Sequence, residues 1–449
     1  MSSISPFEGF LATAEIGEVF GQEAVVQRML DFEATLALAQ GELGVVPRAA
    51  ADEIARHCRA EFFDAGAIVA ASRTAGSLAI PLVKQLTERV AAHDVEAGRY
   101  VHWGSTSQDV VDTAMVLATR QALALITADL DSLILSLRRL YERHGAAPVL
   151  ARSLMQPAQV ISFGFKLAAW TAPLLRARER LDEAAGRALQ LQFGGAVGTL
   201  AAMGPQGPAV AAKVAETLGL RLPPTAWHTQ RDEWLSLGAQ VGILCGSLGK
   251  IARDWALMAQ GEIGELAEPS GGGRGGSSAM PHKRNPVSSL IALAAAGRVP
   301  QRVAGLLAAM DQEHERGLGN WQAELAEWAG LFVSTHGAVR ALAEAAAGLT
   351  VDAARMRENI DRLQGLVFAE ALSMRLARTI GKTKAHHVIE QWSQAALREK
   401  RPLKALVDLS VDPTLTPQEL DALFDADQAA QPAIGIAARQ FDGWGKEKP

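Results

Sequence analysis

The sequence predicts an all-α protein, and three features indicate this class. Residues 105–144 contain neither glycine nor proline and are rich in alanine, leucine and valine. One helix over residues 109–144 would be about 54 Å long at about 1.5 Å per residue, several times the usual length. A second long helical segment covers residues 231–266, and alternating strand patterns are hard to find anywhere. We therefore expect a bundle with a long axis.

Three glycines in the second long segment, Gly238, Gly242 and Gly246, are spaced four residues apart. This spacing places them on one helical face, where another backbone can approach closely. Each costs about 1 kcal/mol relative to alanine inside a helix, so an unpacked surface would be a poor place for them. We expect the face to pack tightly in a crowded central bundle rather than to bind a ligand.

Prolines mark the other predicted helix ends, kinks and loops. They are Pro148 after the first long helix, Pro157 and Pro173 within the next, Pro205, Pro208, Pro223 and Pro224 in two loops, Pro300 in a helix from Val287 to about Glu315, and Pro413 and Pro417 around a C-terminal loop. The predicted division has three domains: an N-terminal helical domain (1–109), a central long-helix bundle (110–355) and a small C-terminal helical domain (356–449).

The composition describes a globular protein without nucleic-acid partners. The 449 residues are 49% apolar and 21% charged, with 44 basic against 49 acidic side chains and a formal net charge of −5. That balance leaves no global basic field for nucleic acid, and two tyrosines offer no stacking platform for bases. Cys58 and Cys245 supply neither a disulfide framework nor a cysteine-rich zinc site, which favours a reducing compartment.

No segment predicts secretion or a membrane span. Residues 1–20 carry three glutamates and no basic apolar leader. The longest weakly polar stretch, residues 235–251, contains Gln240 and four glycines and is too short and broken to span a bilayer. We expect a cytoplasmic protein without a membrane partner.

The densest local signal is a run of five glycines within residues 271–276. Such a run predicts a mobile loop. Neither a following Gly-Lys-Ser/Thr pattern nor a preceding strand supports a nucleotide-binding loop. The run leads into a group of residues with reactive or hydrogen-bonding side chains: Ser277, Ser278, His282, Lys283 and Asn285.

The end of this loop predicts a place for anions. Asn285 and Pro286 are typical of a helix N-cap and of the first helical position. The positive end of the following helix and its free N–H groups would then face the loop, together with Lys283 and Arg284. A mobile loop that carries a hydroxyl over such a place is typical of a catalytic lid.

Residues 276–286 read Gly-Ser-Ser-Ala-Met-Pro-His-Lys-Arg-Asn-Pro and resemble the signature loop of the fumarase/aspartase superfamily. The resemblance implies an all-α homotetramer with a shared bundle of long helices and sites built from three subunits. It gives Ser277 the role of the base that removes a proton α to a carboxylate, with Lys283 and the helix start stabilising the alkoxide. A capping or turn-forming role for Ser277 is the alternative. The substrate-binding candidates of the loop are Ser278, Met280 and Asn285.

Residues 102–109, His-Trp-Gly-Ser-Thr-Ser-Gln-Asp, resemble the superfamily's first motif, just before the first long helix. Their hydroxyls and backbone donors suit a carboxylate, and Asp109 could cap the helix. His102 could act catalytically by donating a proton or a hydrogen bond, with simple packing as the alternative. The substrate-binding candidates are Ser105, Thr106 and Ser107, and Thr74 from a stretch that resembles a substrate-facing turn.

The second motif of the superfamily, matching residues 152–158, is where the sequence departs. The lyases pair a histidine with a glutamate, and Leu154 and Leu290 stand at those positions. An enzyme that protonates an amine or hydroxide leaving group would lack this dyad. The cycloisomerase branch does not need it, because its leaving group in the reverse reaction is a carboxylate, although it commonly has tryptophan where Leu154 stands. Arg152 and Gln156 remain substrate-binding candidates.

Four further stretches resemble the cycloisomerase branch: residues 191–198, 227–232, 312–319 and 364–371. The branch implies lactone formation from a small tricarboxylate, and the sequence shows no metal-ligand spacing and no dinucleotide-binding pattern, so we expect no metal and no cofactor. Three carboxylates require a local basic cluster even in an acidic chain. Its candidates are His102, Arg152, Arg231, Lys283 and Arg316. The alternatives are a superfamily lyase that releases fumarate and a non-catalytic helical scaffold.

Overall fold

The computed structural model describes residues 6–276, 280 and 283–443, and these residues confirm the all-α class. The α-helices are α1 (Pro6–Gly9), α2 (Ala14–Val19), α3 (Gln22–Glu42), α4 (Arg48–His57), α5 (Ala65–Ala75), α6 (Ala79–Ala91), α7 (Val95–Gly98), α8 (Ser107–His144), α9 (Phe163–Ala188), α10 (Gly207–Leu218), α11 (Asp232–Met258), α12 (Val287–Ala308), α13 (Asn320–Ala347), α14 (Ala353–Asp361), α15 (Ala369–Ile380), α16 (Lys382–Glu399), α17 (Pro417–Leu423), α18 (Ala426–Ala429) and α19 (Gln431–Gly443). Two small antiparallel sheets pair β1 (Pro148–Ser153) with β2 (Gln156–Ser162) and β3 (Leu266–Ala267) with β4 (Thr350–Val351).

Helix α8 is the first predicted long helix, and it begins two residues earlier than expected. Without glycine or proline it runs 38 residues, from Ser107 to His144. Asp109 does not cap it, which corrects the prediction. Asp109 is instead the third helical residue, and its Oδ2 accepts a hydrogen bond from the backbone N–H of Thr106 at 3.1 Å. Thr106 therefore stands at the cap, and Asp109 makes the side-chain-to-backbone bond that the third helical residue contributes to a capping box.

The hairpin of β1 and β2 is a feature that the sequence did not reveal. Pro157, predicted to interrupt a helix, lies in β2 opposite Arg152. The turn consists of Leu154 and Met155, whose φ angles are 50° and 66°. Asn-Gly usually fills such a turn, because two consecutive positive φ angles strain other residues. Because bulky apolar residues occupy this turn, the sequence lacks the Asn-Gly pattern that normally predicts a hairpin.

The glycines of α11 confirm the predicted close packing at two of three positions. A Cβ on Gly238 would lie 3.0 Å from Trp328 of α13, and a Cβ on Gly242 would lie 2.6 Å from Val303 of α12. At Gly246 no described atom of this copy lies within 4 Å of a Cβ built there, so close packing at that position stays a prediction. Gly249 makes the next close contact, with Ala296 only 2.4 Å from its Cβ position.

Other helix boundaries differ in detail from the prediction. Helix α12 contains Pro300 as expected but ends at Ala308, well before Glu315. Residues 205–208 are not simply a loop, because α10 begins at Gly207 with Pro208 in its first turn, where a missing N–H costs no helical hydrogen bond. The helices after β4 have at most 18 residues and are shorter than the long helices α8, α9, α11, α12 and α13, as predicted.

Proximity of Cα atoms divides the chain into two compact units. The first comprises Met1–Leu130, Arg176–Gly249 and Ile291–Ala341, and the second comprises Asp131–Leu175, Lys250–Leu290 and Leu342–Pro449. The first unit contains an aromatic cluster in which the rings of Trp234 and Trp328 stack with centroids 3.9 Å apart. Part of the second unit's core is formed by Leu372, Leu376 and Ile389. The three-domain division stays a prediction.

By length and composition, three of the described helices could cross a membrane: α8, α11 and α12. The sequence predicted that residues 235–251 are too short to span a membrane, but helix α11, which contains them, is longer and has 27 residues. The most apolar windows of α8 and α11 are 72% and 56% buried within the chain, against 22% for α12. Helix α12 thus leaves most of its apolar window uncovered by this single copy.

Arg231 is a core residue of the first unit, which corrects its prediction as a substrate-binding residue. Its side chain is 1% exposed and lies between two carboxylates. Nη1 donates to Asp112 Oδ2 at 2.8 Å, and Nε donates to Glu324 Oε2 at 3.0 Å. Trp321 Nε1 adds a bond to Asp112 Oδ1 at 2.9 Å. The guanidinium is neutralised and enclosed, so it offers no charge to a ligand.

Arg231→Gln should lower the free energy of unfolding by about 3–5 kcal/mol, because it leaves two buried carboxylates without their cation. Urea denaturation followed by circular dichroism measures the change. The matched control is Arg187→Gln, which breaks an exposed ion pair with Glu233 and should cost at most about 1 kcal/mol. A wild-type denaturation midpoint for Arg231→Gln would contradict the structural role.

Candidate active site

The start of α8 brings together two of the predicted site residues, Thr106 and Arg316. Arg316 donates from Nη1 to Thr106 Oγ1 and from Nε to Gln108 Oε1, both at 2.7 Å. Gln108 in turn donates to Asp112 Oδ2 at 3.1 Å and to the carbonyl of His228 at 2.9 Å. Because the Thr106 hydroxyl oxygen accepts from Arg316, its own proton can be donated to a ligand carboxylate. Arg316 and Thr106 therefore form a cationic, hydrogen-bond-donating pair.

The carboxylate of Asp109 holds this region together. It is fully buried, and Oδ1 accepts from Gly194 N at 3.1 Å and from His228 Nε2 at 2.7 Å. Oδ2 accepts from Gly195 N at 2.9 Å as well as from Thr106 N. Gly195 has a φ of 71°, a conformation that glycine adopts without strain. These bonds fix the turn before α8 against the loop at residues 194–195.

His102, a predicted catalytic residue, is paired with a buried glutamate. Its Nδ1 lies 2.6 Å from Glu33 Oε1. Burial lowers the pKa of His102, but the charge and hydrogen bond of Glu33, together with the charge of Asp109, outweigh burial and raise the pKa above its ordinary value of 6.5. The imidazolium form is thereby favoured. Stability from this pair is fully present below the ordinary pKa and is lost as pH rises through the raised one.

Arg152, in the second unit, is committed to a buried carboxylate. Nη2 donates to Glu265 Oε1 at 2.8 Å and Nη1 donates to Glu265 Oε2 at 3.1 Å, in a two-bond fork. Asn359 Nδ2 adds a bond to Glu265 Oε1 at 2.9 Å. Arg152 was predicted to bind substrate, but Glu265 of the same chain neutralises most of its charge. The structure explains it as the residue that anchors β1 to the segment before β3.

The start of α12 does not offer free N–H groups, which corrects the predicted anion site. The carboxylate of Glu268 accepts from the backbone N–H groups of Ser288 and Ser289, each at 2.9 Å, and from the Ser289 hydroxyl at 2.6 Å. Asn285 and Pro286 lie before the helix, which begins at Val287. The positive helix end is thus neutralised by the chain itself.

The described part of the glycine run forms a turn rather than a featureless linker. Arg274 N donates to the carbonyl of Gly271 at 3.1 Å, and Asn285 N donates to the carbonyl of Gly275 at 2.9 Å. Gly275 has a φ of 70°, and a Cβ there would lie 2.7 Å from the Asn285 carbonyl oxygen. Glycine is required at this position by both conformation and space. Arg274 also pairs with Glu344.

The remaining predicted residues lie in exposed or half-buried positions. Ser277 and Ser278 fall outside the described residues. The others are Thr74, exposed in the last turn of α5; Ser105 and Ser107, half-buried at the start of α8; Gln156, exposed at the start of β2; Met280 and Lys283, exposed beside the glycine turn; and Asn285, half-buried.

Leu154 and Leu290, which stand where the lyases have their acid–base pair, are both solvent-exposed in this copy. Leu154 is 96% exposed at the hairpin tip, and Leu290 is 52% exposed in the first turn of α12. Neither carries a group that can transfer a proton. Neither of these two positions can therefore serve as a proton donor.

Several residues that shape the site escaped the sequence reasoning. Glu33, Gln108, His228 and Glu268 act through partners that lie from 20 to 120 residues away along the chain. Within the described ranges, no group of three or more His, Cys, Asp or Glu side chains is arranged to hold a metal ion. The absence of metal and cofactor chemistry stays a prediction.

Comparison with known proteins places this site in a family. A family model described as a lyase matches residues 11–301, and one described as the adenylosuccinate lyase C-terminus matches residues 365–440. The 3-carboxy-cis,cis-muconate cycloisomerase of Pseudomonas aeruginosa is 48% identical over 421 residues, which cover 93% of this chain and 92% of the relative. That of Bradyrhizobium diazoefficiens is 46% identical over 417 residues, 92% of each chain.

Solved structures agree with the sequence relatives. The crystal structure of 3-carboxy-cis,cis-muconate lactonizing enzyme from Pseudomonas putida superposes with a TM-score of 0.92 at 44% identity, covering 97% of this chain and 98% of that chain. The lyase model alone spans well over half of the 449 residues. The chain therefore belongs to the lyase family of the fumarase/aspartase superfamily.

Proposed function

We propose that the chain is an enzyme that converts 3-carboxy-cis,cis-muconate into a carboxymuconolactone, in the protocatechuate branch of the β-ketoadipate pathway. The observation that carries this proposal is similarity over 93% of the chain to a relative named for this activity. The loop at residues 276–286 supports an active member of the family, because a non-catalytic scaffold has no use for Lys283 beside such a loop.

In the proposed reaction, one substrate carboxylate adds across a conjugated double bond and closes a five-membered lactone. Negative charge develops as an aci-carboxylate next to the carbon that then receives a proton. We assign that proton transfer to Ser277, with Lys283 and Asn285 beside the developing charge. In the reverse direction Ser277 is the base. A serine hydroxyl is a weak acid, so its alkoxide needs the cation of Lys283.

The proposed binding of three carboxylates uses fewer cations than the sequence suggested. Arg231 and Arg152 are neutralised by buried carboxylates, which leaves His102, Lys283 and Arg316 as the basic residues of the proposed site. The Thr106 hydroxyl adds a donor beside Arg316. Ser105, Ser107, Ser278, Met280, Gln156 and Thr74 stay candidates for shaping the pocket.

The apolar pair Leu154 and Leu290 supports ring closure over elimination. A lyase that releases fumarate from a substituted succinate must usually protonate its leaving group, and these two positions offer no proton. The cycloisomerase releases a carboxylate in its reverse reaction, which departs without one. Elimination of a group that needs no proton is the alternative.

We further propose that the chain is a cytoplasmic homotetramer. Helix α12 carries an apolar window that is only 22% buried within one copy, and Leu290 and Leu307 on it are more than half exposed. Apolar surface of this kind is typical of a subunit interface. Helices of other copies are the occupants that this proposal assigns to it.

The wild-type protein should consume the conjugated diene of 3-carboxymuconate, because addition across one double bond destroys the conjugation. Ultraviolet absorbance follows the reaction. A parallel panel of substituted succinates, assayed for fumarate, is the control for elimination chemistry. Release of fumarate without loss of the diene would overturn the proposed function in favour of a lyase.

Ser277→Ala should lower kcat by at least about 10²-fold, because it removes the group that transfers the proton. The diene assay measures the loss, and circular dichroism checks that the helical fold is intact. A folded Ser277→Ala variant with kcat within tenfold of wild type would remove Ser277 from this role.

Sedimentation equilibrium should give about four times the 47.6 kDa mass of one chain, since burial of the α12 window favours association. Leu307→Glu, which places a charge in that window, should shift the population toward smaller species and lower activity in parallel. A fully active monomer would contradict both the tetramer and any sharing of sites between copies.

A further inference from the structure

Glu33 on α3 is a buried carboxylate with a single hydrogen-bond partner among the residues that the structure describes. Its side chain is 1% exposed, and Oε1 accepts from His102 Nδ1. Its other oxygen, Oε2, has no partner among the described residues. Other buried carboxylates of this chain, such as Glu265 and Glu268, use both oxygens. Structural anchoring alone would favour a saturated carboxylate, because an unsatisfied buried oxygen is destabilising.

His102 is held so that one ring nitrogen is committed to Glu33 and the other is available. Its φ is 60°, in the left-handed region that non-glycine residues rarely adopt. A carboxylate oxygen only accepts, so Nδ1 must be the donor to Glu33. Nε2 makes no hydrogen bond to any described residue, and the side chain is 20% exposed. Nε2 is therefore the atom that a ligand can reach.

The charged groups that face the ring favour its protonated form. They are Glu33 from α3 and Asp109 from α8, which together raise the pKa of His102 against the effect of burial. The thiol of Cys58, after α4, faces Glu33 and stays neutral because burial, Glu33 and Asp31 raise its pKa. The surroundings of His102 are thus acidic on two sides.

We propose that Glu33 is a positioning residue that holds His102 as an imidazolium with its Nε2–H presented to a carboxylate of the substrate. This inference rests on the proposed function and adds to it a fixed cation with a defined donor. The imidazolium differs from Lys283 in that its ring is oriented before the ligand arrives. Preorganised donors of this kind bind an anion without the cost of ordering a flexible side chain.

The first test is Glu33→Gln, which keeps the size of the side chain and an acceptor for Nδ1 but removes the charge. The NMR titration of His102 should show its pKa lowered by at least about one unit. KM for 3-carboxymuconate should rise about tenfold near neutral pH, since a charge-assisted hydrogen bond is lost. In wild type KM should rise as pH increases through the His102 pKa, and in Glu33→Gln this rise should begin at lower pH.

The matched control is Glu53→Gln, which removes a second Glu–His contact of the same unit, 2.9 Å between Glu53 Oε1 and His57 Nε2. It should leave the pH profile of KM unchanged. His102→Gln should abolish the pH-dependent rise, and Glu33→Gln added to it should raise KM no further. An effect of Glu33→Gln that persists in the His102→Gln background overturns the proposal, as does an unchanged His102 titration in folded Glu33→Gln.

If Glu33→Gln fails to fold, His102→Gln alone decides, because an unaltered pH profile of KM in that variant overturns the proposal. The experiment also separates this inference from the proposed function. A wild-type protein that consumes no diene refutes the function, while the titration of His102, which needs no substrate, still tests its pairing with Glu33.

Discussion

The buried carboxylate of Asp109 is the interaction on which the arrangement of the first unit's site depends. Its two oxygens are saturated by backbone donors of Thr106, Gly194 and Gly195 and by His228. Hydrogen bonds offset the cost of burying a charge, and backbone donors supply those bonds without side-chain entropy. The carboxylate of Asp109 therefore fixes the conformation of the turn before α8. That turn positions Thr106, which Arg316 contacts.

The distribution of charge matters more here than its sum. A few of the chain's carboxylates are buried, where Asp112 and Glu324 enclose Arg231 and Glu265 pairs with Arg152. Such residues organise the core and contribute little to the field outside. A formal net charge of −5 thus says nothing against an anionic substrate, because attraction depends on the few cations that the core has left unpaired.

Local patterns predicted the parts of this protein that depend on nearby residues. The composition of residues 105–144 predicted α8 almost to its ends, and the glycine spacing of α11 predicted the contacts at Gly238 and Gly242. The hairpin was missed because leucine and methionine, the residues at positions 154 and 155, are not typical of a hairpin turn. The buried ion pairs of Arg231 and the capping of α12 by Glu268 were missed because the partners lie far apart along the chain. Motif resemblance suggested Thr106, Arg316 and Ser277 as site residues. The structure places Arg316 against Thr106, and the roles of all three residues stay predictions.

The capping of α12 by Glu268 has a consequence for how the glycine turn could attract an anion. A helix end acts over a short range and in one direction, through N–H groups that salt does not displace. With those groups occupied, any attraction there comes from Lys283 and Arg284, which are exposed to solvent. Their field is screened within about 8 Å at physiological ionic strength. Ionic strength therefore controls the first approach of a charged molecule to this loop, whereas salt screens the buried ion pairs much less.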